Sequence, residues 1–204
     1  MIRRKRMSMT ALIAVVAVIA ALSYALTGVA VPRAAAEDKA RAAPVEFTAD
    51  GKLKQPVGYR KWVYIGTPVT PNDMNDGEAS FPEFHEVYMD PESFVHYEKT
   101  GKFRDGTVLV KELSSVGSKE APSGKGYFQG EFTGLEVTIK DSKRFKDEPG
   151  FWAYFSFGHQ YPLLTEAPKK PVSACNKCHE DNAKPDLVFS RYYPVLRAAA
   201  PHAK

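Results

Sequence analysis

The chain carries only two cysteines, and both fall in the run Cys175-Asn176-Lys177-Cys178-His179 near its C-terminal end. No other stretch constrains the molecule as strongly. Two thiols at this spacing lie about one helical turn apart, so both reach one edge of a flat macrocycle. The adjacent histidine then offers its imidazole from below that plane. This is the pattern of covalent c-type haem attachment, with Cys175 and Cys178 as thioether donors and His179 as the iron ligand. Two other chemistries share the spacing. A redox dithiol normally follows an early strand of a βαβ unit, and no such unit is apparent. A zinc site needs two more ligands, and no further cysteine exists. One covalent haem c, bound near the C-terminal end, is the cofactor that the sequence predicts.

The other end of the chain reads as an export signal. Arg3, Arg4, Lys5 and Arg6 precede an apolar run from Ala11, and Ala34-Ala35-Ala36 offers a cleavage site before Glu37. The apolar run is long for a signal peptide, so an uncleaved membrane anchor is the alternative. Either outcome places the remainder outside the cytoplasmic membrane, where bacterial c-type haem is attached, and predicts a periplasmic protein. The leader also distorts the charge. The whole chain is +4, but residues 1–36 hold five basic residues and no acids, which leaves 23 basic against 24 acidic residues. A net charge of −1 without a basic stripe excludes nucleic acid as a partner.

Residues 1–36 are thus the expected leader, 37–46 a flexible Ala-rich lead-in, 47–199 one domain and 200–204 a tail. Tyr59 to Ile65 reads as a strand or short helix, Pro68 to Gly77 as a loop, and Phe84 to Met89 as a strand. Asp90-Pro91 predicts a helix start, with Gly101 as its stop. Thr107 to Ser115 is the clearest strand. Gly117 to Gly126 reads as a polar loop. Tyr127 to Phe132, Leu135 to Lys140 and Phe151 to Phe157 follow as three more strands. A Pro-rich connection, Pro162 to Pro171, leads to the cysteines, and Leu187 to Ala199 predicts a closing helix kinked at Pro194. Strands in runs with helices at the ends predict an α+β domain, an antiparallel sheet with flanking helices.

That architecture differs from a helical electron-transfer cytochrome, which takes a later methionine as second axial ligand. No methionine follows His179, and outside the leader only Met74 and Met89 occur. The sequence therefore predicts an iron with an open position, suited to small-molecule binding or chemistry. Lys111 is the second unusual feature. On the strand Thr107 to Ser115 it shares a face with Leu109 and Leu113, while Val108, Val110 and Glu112 share the other. An inward lysine can protect a sheet edge or snorkel to solvent. A desolvated amine beside a haem is instead a nucleophile facing an electrophilic ring edge.

Several stretches resemble the cytochrome P460 family: Tyr88 to Ser93, Phe103 to Leu113, Lys140 to Phe145, Cys175 to His179, and Tyr193 to Arg197. The likeness runs from about Phe47 to Ala199. It implies an exported mono-haem cytochrome built on an antiparallel sheet, forming a homodimer. It implies that Lys111 is cross-linked through its nitrogen to a porphyrin meso carbon. It also implies oxidation of hydroxylamine, with nitrous oxide, nitric oxide or nitrite as products and a periplasmic cytochrome c as electron acceptor. His85 stands where other members can carry arginine, and is the candidate distal proton-transfer group. Glu136 alternates away from Leu135 and Val137 and reads as solvated. His96 reads as a surface residue, and His159 is placed only near the loop before the haem motif. Phe128, Phe132, Phe155 and Phe157 read as sheet core. The rivals to the enzyme are a nitric-oxide-binding protein of the cytochrome c′-beta type, which shares the sheet but lacks the cross-link, and a simple electron carrier.

Overall fold

The computed structural model describes residues 44–201. The expected leader, all but the last three residues of the lead-in, and the final three residues of the tail lie outside these. A short strand, Leu53–Lys54 (β1), is followed by a 3-10 turn at Tyr59–Lys61 and by Val63–Gly66 (β2). Phe84–Met89 (β3) leads into Pro91–Thr100 (α1), then Val108–Val116 (β4). A small hairpin, Glu120–Ala121 (β5) with Gly124–Lys125 (β6), precedes the long strand Gln129–Lys140 (β7) and Trp152–Ser156 (β8). Glu166–Ala167 (β9), Asn176–Asn182 (α2) and Pro194–Ala199 (α3) complete the chain. The main sheet has five strands in the order β2-β3-β4-β7-β8, each pair antiparallel, so the fold is α+β as its sequence pattern predicts. Among the described residues no helix is long and apolar enough to cross a membrane.

The sheet is buried on both faces. One face packs Val108, Val110, Leu135, Val137, Ile139, Ala153 and Phe155 against Leu53, Phe145 and Ala167. Val45 already packs against this cluster. The opposite face packs Val87, Met89, Leu109, Trp152 and Tyr154 against Tyr97, Phe103, Val188 and Leu196, with Cys175 at the edge. Met89 is thus an interior residue of this second cluster, whereas Met74 is largely exposed.

Asp90 makes the turn from β3 into α1. Its Oδ1 accepts from the Ser93 amide at 2.9 Å as N-cap, and its Oδ2 accepts from the Val108 amide at 2.9 Å. Pro91 occupies the first helical turn, where its missing N–H costs nothing, and Gly101 closes the helix with φ 66°.

Five local readings change. The stretches Tyr127 to Phe132 and Leu135 to Lys140 are not two strands; the backbone runs through Gly134 as β7 and absorbs the irregularity as register shifts against β4. The loop Gly117 to Gly126 contains the β5-β6 hairpin, and the Pro-rich connection contributes β9, which pairs with β1. Pro194 begins α3 instead of kinking a longer helix, because residues 190–192 form a separate 3-10 turn. Phe132 is half-exposed beneath the Arg60 guanidinium and is not core, unlike Phe155 and Phe157.

Replacing Asp90 removes the helix cap and strands the buried Val108 amide. Asp90→Ala is expected to lower unfolding free energy by about 2 kcal/mol, read from urea denaturation of the holoprotein against the unsubstituted chain.

Candidate haem-binding site

Cys175 is the residue that enters α2, and Cys178 and His179 lie on its first turn. Asn176, fully buried, donates through Nδ2 to the Trp152 carbonyl at 2.8 Å and ties this start to β8. Both cysteines are free thiols, and burial pushes the Cys175 thiol up from its ordinary range. The His179 ring is held from three directions. Tyr154 lies 4.7 Å away and Phe189 4.8 Å away by ring centroids, both inclined to it. Its Nδ1 donates to the Leu187 carbonyl at 2.8 Å. A carbonyl only accepts, so Nδ1 carries the proton and Nε2 keeps a free lone pair, the arrangement of a metal-binding histidine. Burial, the largest cause, lowers the His179 pKa and favours this neutral form.

The Leu187 carbonyl is itself placed under strain. Asp186 and Leu187 both adopt positive φ, 56° and 58°, which is costly for residues with a Cβ. Asp186 compensates by accepting from Lys140 Nζ at 2.5 Å and from Trp152 Nε1 at 3.3 Å, which pins the loop to the ends of β7 and β8.

The second half of the site comes from the sheet face that carries Tyr154. Register sets three successive rows across it. Met89, Leu109, Thr138 and Tyr154 form the row under His179. Val87, Lys111, Glu136 and Ser156 form the next, and His85, Leu113 and Gly134 the one beyond. Rows of like-facing residues are about 7 Å apart. Lys111 therefore stands midway between the row that buttresses His179 and the row that presents His85. The charges of Lys111 and Glu136 act on both Cys175 and His179, so the helix and the sheet enclose one site.

Glu136 is not the solvated residue that alternation predicts. It faces Lys111 across the strand pair, Oε2 to Nζ 2.5 Å, and its Oε1 meets His159 Nε2 at 3.0 Å. Burial would raise the carboxyl, but the His159 hydrogen bond and the Lys111 charge overcome it and hold Glu136 down to about 2. His159 is raised in turn, chiefly by its bond to Glu136. It reaches this position because Gly134 has no side chain. A Cβ there would lie 2.7 Å from the Gly158 carbonyl oxygen and 3.1 Å from the His159 Cα.

His85 belongs to the same cluster. Its ring meets Phe81 edge-on at 6.1 Å, Lys111 Nζ lies 5.2 Å from the centre of the same Phe81 ring, and His85 Nε2 is buried without a partner. Burial, aided by the Lys111 charge, brings His85 down to about 4, so it is neutral at physiological pH. His96 lies on α1 and has no part in the cluster. Among the described residues no group of three or more His, Cys, Asp or Glu gathers as a metal-ion site, which leaves a zinc reading of the cysteines without its remaining ligands.

The sequence profile described as Cytochrome P460 matches residues 56–190, well over half of the chain. The chain belongs to the cytochrome P460 family. A haem cofactor and a cytochrome's redox chemistry come with that membership. No curated protein matches the sequence. The residues present fit a haem of this family: a free Nε2 on a braced imidazole, two free thiols on one helical turn, and an apolar wall from Tyr154, Phe189 and Leu109.

The Glu136–His159 bond gives the site a pH signature. A raised His159 pKa contributes stability that is fully present below about pH 6.5 and is lost as pH rises through the folded-state value. The depressed Glu136 contributes stability above about pH 4.5 that is lost as pH falls toward 2. Denaturation midpoints are expected to fall between about pH 6 and pH 9 in the unsubstituted protein, and to fall less in Glu136→Gln.

Proposed function

We propose that this protein is an exported mono-haem c-type enzyme that oxidises hydroxylamine, with nitrous oxide as a main product and nitric oxide or nitrite as others. The reading rests on one observation above all. A lysine amine projects from the middle row of a sheet face, between a histidine braced as a metal ligand and a second, neutral histidine. That position supports Lys111 as the side chain that would be bonded to the rim of a macrocycle held by Cys175, Cys178 and His179.

The haem supplies, when bound, an open iron position for the substrate nitrogen and an acceptor for its electrons. The chain's own residues do the rest. Cys175 and Cys178 fix the ring against α2. His179 stays neutral and cannot rotate, because Leu187 holds its Nδ1 proton while Tyr154 and Phe189 flank it. Lys111 would hold the ring through a bond from its nitrogen to a meso carbon, and that bond would alter the ring's electronics. Hydroxylamine must lose protons as it loses electrons. His85 is the group for this step: it is neutral, and its Nε2 is unpartnered. The leader, the electron acceptor (a periplasmic cytochrome c) and a homodimeric state belong to the same reading.

Intact mass and the visible spectrum of the holoprotein, compared with Lys111→Ala, test this reading. The unsubstituted protein is expected to carry one haem with a strongly red-shifted Soret band and to release nitrous oxide from hydroxylamine when given an electron acceptor. Lys111→Ala is expected to keep its haem while losing both the shifted band and nitrous oxide release. Matching Soret bands in the two proteins would sink the enzyme reading. Nitric oxide binding without turnover would favour the gas binder, and an iron closed to nitric oxide and cyanide would favour the electron carrier.

A further inference from the structure

Lys111 does not stand alone on its row. Its Nζ is 2.5 Å from Glu136 Oε2, and the other oxygen of that carboxylate is 3.0 Å from His159 Nε2, so three groups from β4, β7 and the loop after β8 form a continuous chain. The chain leads outward. The side chains of Lys111 and Glu136 are 25% and 24% exposed, whereas that of His159 is 42% exposed. We infer that Glu136 is the positioning residue for Lys111: it docks the amine on the middle row and carries away the proton released when the lysine–haem bond forms, with His159 passing that proton to solvent. This inference rests on the cross-linked-haem reading above.

The chemistry demands such an acceptor. Joining a protonated lysine nitrogen to a ring carbon forms one C–N bond and breaks one C–H and two N–H bonds. Two electrons leave with three protons. With a peroxide as the two-electron oxidant, both electrons and two of the protons go into two waters. One proton remains and must leave the partly buried row. A carboxylate within hydrogen-bond reach of the nitrogen is placed to take it. Glu136 also starts in the right state, because His159 and Lys111 keep it ionised. The other charged and titratable groups whose fields reach this chain are His85 from β3, Glu83 from the segment before β3, and Cys175 and His179 from the α2 side. Glu83 favours the protonated form of His159, which suits the outer member of a proton path. The His159 end depends on the close approach that Gly134 permits.

The test uses holoprotein matured without oxygen, so that haem is attached at Cys175 and Cys178 before any oxidant is supplied. Dilute hydrogen peroxide then starts the reaction, followed by the Soret shift and by an intact mass two hydrogens lighter. Glu136→Gln is expected to keep its haem and to cross-link on the order of a hundred-fold more slowly near neutral pH. Glu136→Asp should recover most of the rate at neutral pH. His159→Gln should be slowed several-fold and restored by added imidazole, and this arm decides the matter if Glu136→Gln fails to retain haem. Equal rates in the unsubstituted protein and Glu136→Gln would overturn the inference and leave the cross-link intact. So would a slow Glu136→Gln beside an equally slow Glu136→Asp. An unsubstituted protein that never cross-links would overturn the inference together with the reading beneath it.

Discussion

The lysine on the middle strand of the main sheet is only a quarter exposed, and a carboxylate stands directly opposite it. Lys111 and Glu136 are register partners on β4 and β7, and the two strands share the longest ladder in the fold. The next residue poses the mirror-image problem. Glu112 points to the other face, where its side chain is 1% exposed, and it is met by the Tyr59 hydroxyl at 2.7 Å and by two nitrogens of Arg60. One strand thus carries opposite charges on its two faces at consecutive positions. Each is compensated by a different element. Removing one partner of a buried pair leaves an unpaired charge, which costs far more than the pair contributes. The sheet register is therefore tied to electrostatics as well as to apolar packing.

Three histidines with one ordinary pKa are sorted by what surrounds them. Burial takes His85 and His179 down, whereas a carboxylate takes His159 up. The two lowered residues stand on either side of the lysine row, and the lowering favours the neutral ring in each. The raised residue lies at the outer edge, with its side chain 42% exposed. Environment, with no change of residue type, sets the three histidines apart.

The one-turn spacing of Cys175, Cys178 and His179, the capped helix at Asp90 and the strand face that carries Lys111 were all legible in the sequence, because each rests on a local rule: spacing, a cap, or alternation against immediate neighbours. Glu136 was not. Alternation shows only that it points away from Leu135 and Val137, and that implies solvent when a sheet has one buried face. Here both faces are interior, so the far side of one core is the near side of another. His159 was equally hidden, since its place depends on a loop folding back across β7. The half-exposed Phe132 failed for the opposite reason: an aromatic in a strand looks like core, but Arg60 covers its face and leaves the rest to water. Only long-range register, which no local pattern encodes, brings these residues to their partners.

Gly134 carries no functional group, yet the outer half of the polar chain depends on it. The Gly158 carbonyl occupies the space that even a methyl group would need. Any larger residue at that position must push the neighbouring loop, and its imidazole, off the carboxylate. This position shapes the cluster as much as its charged side chains do, although it contributes only the room in which the imidazole can stand.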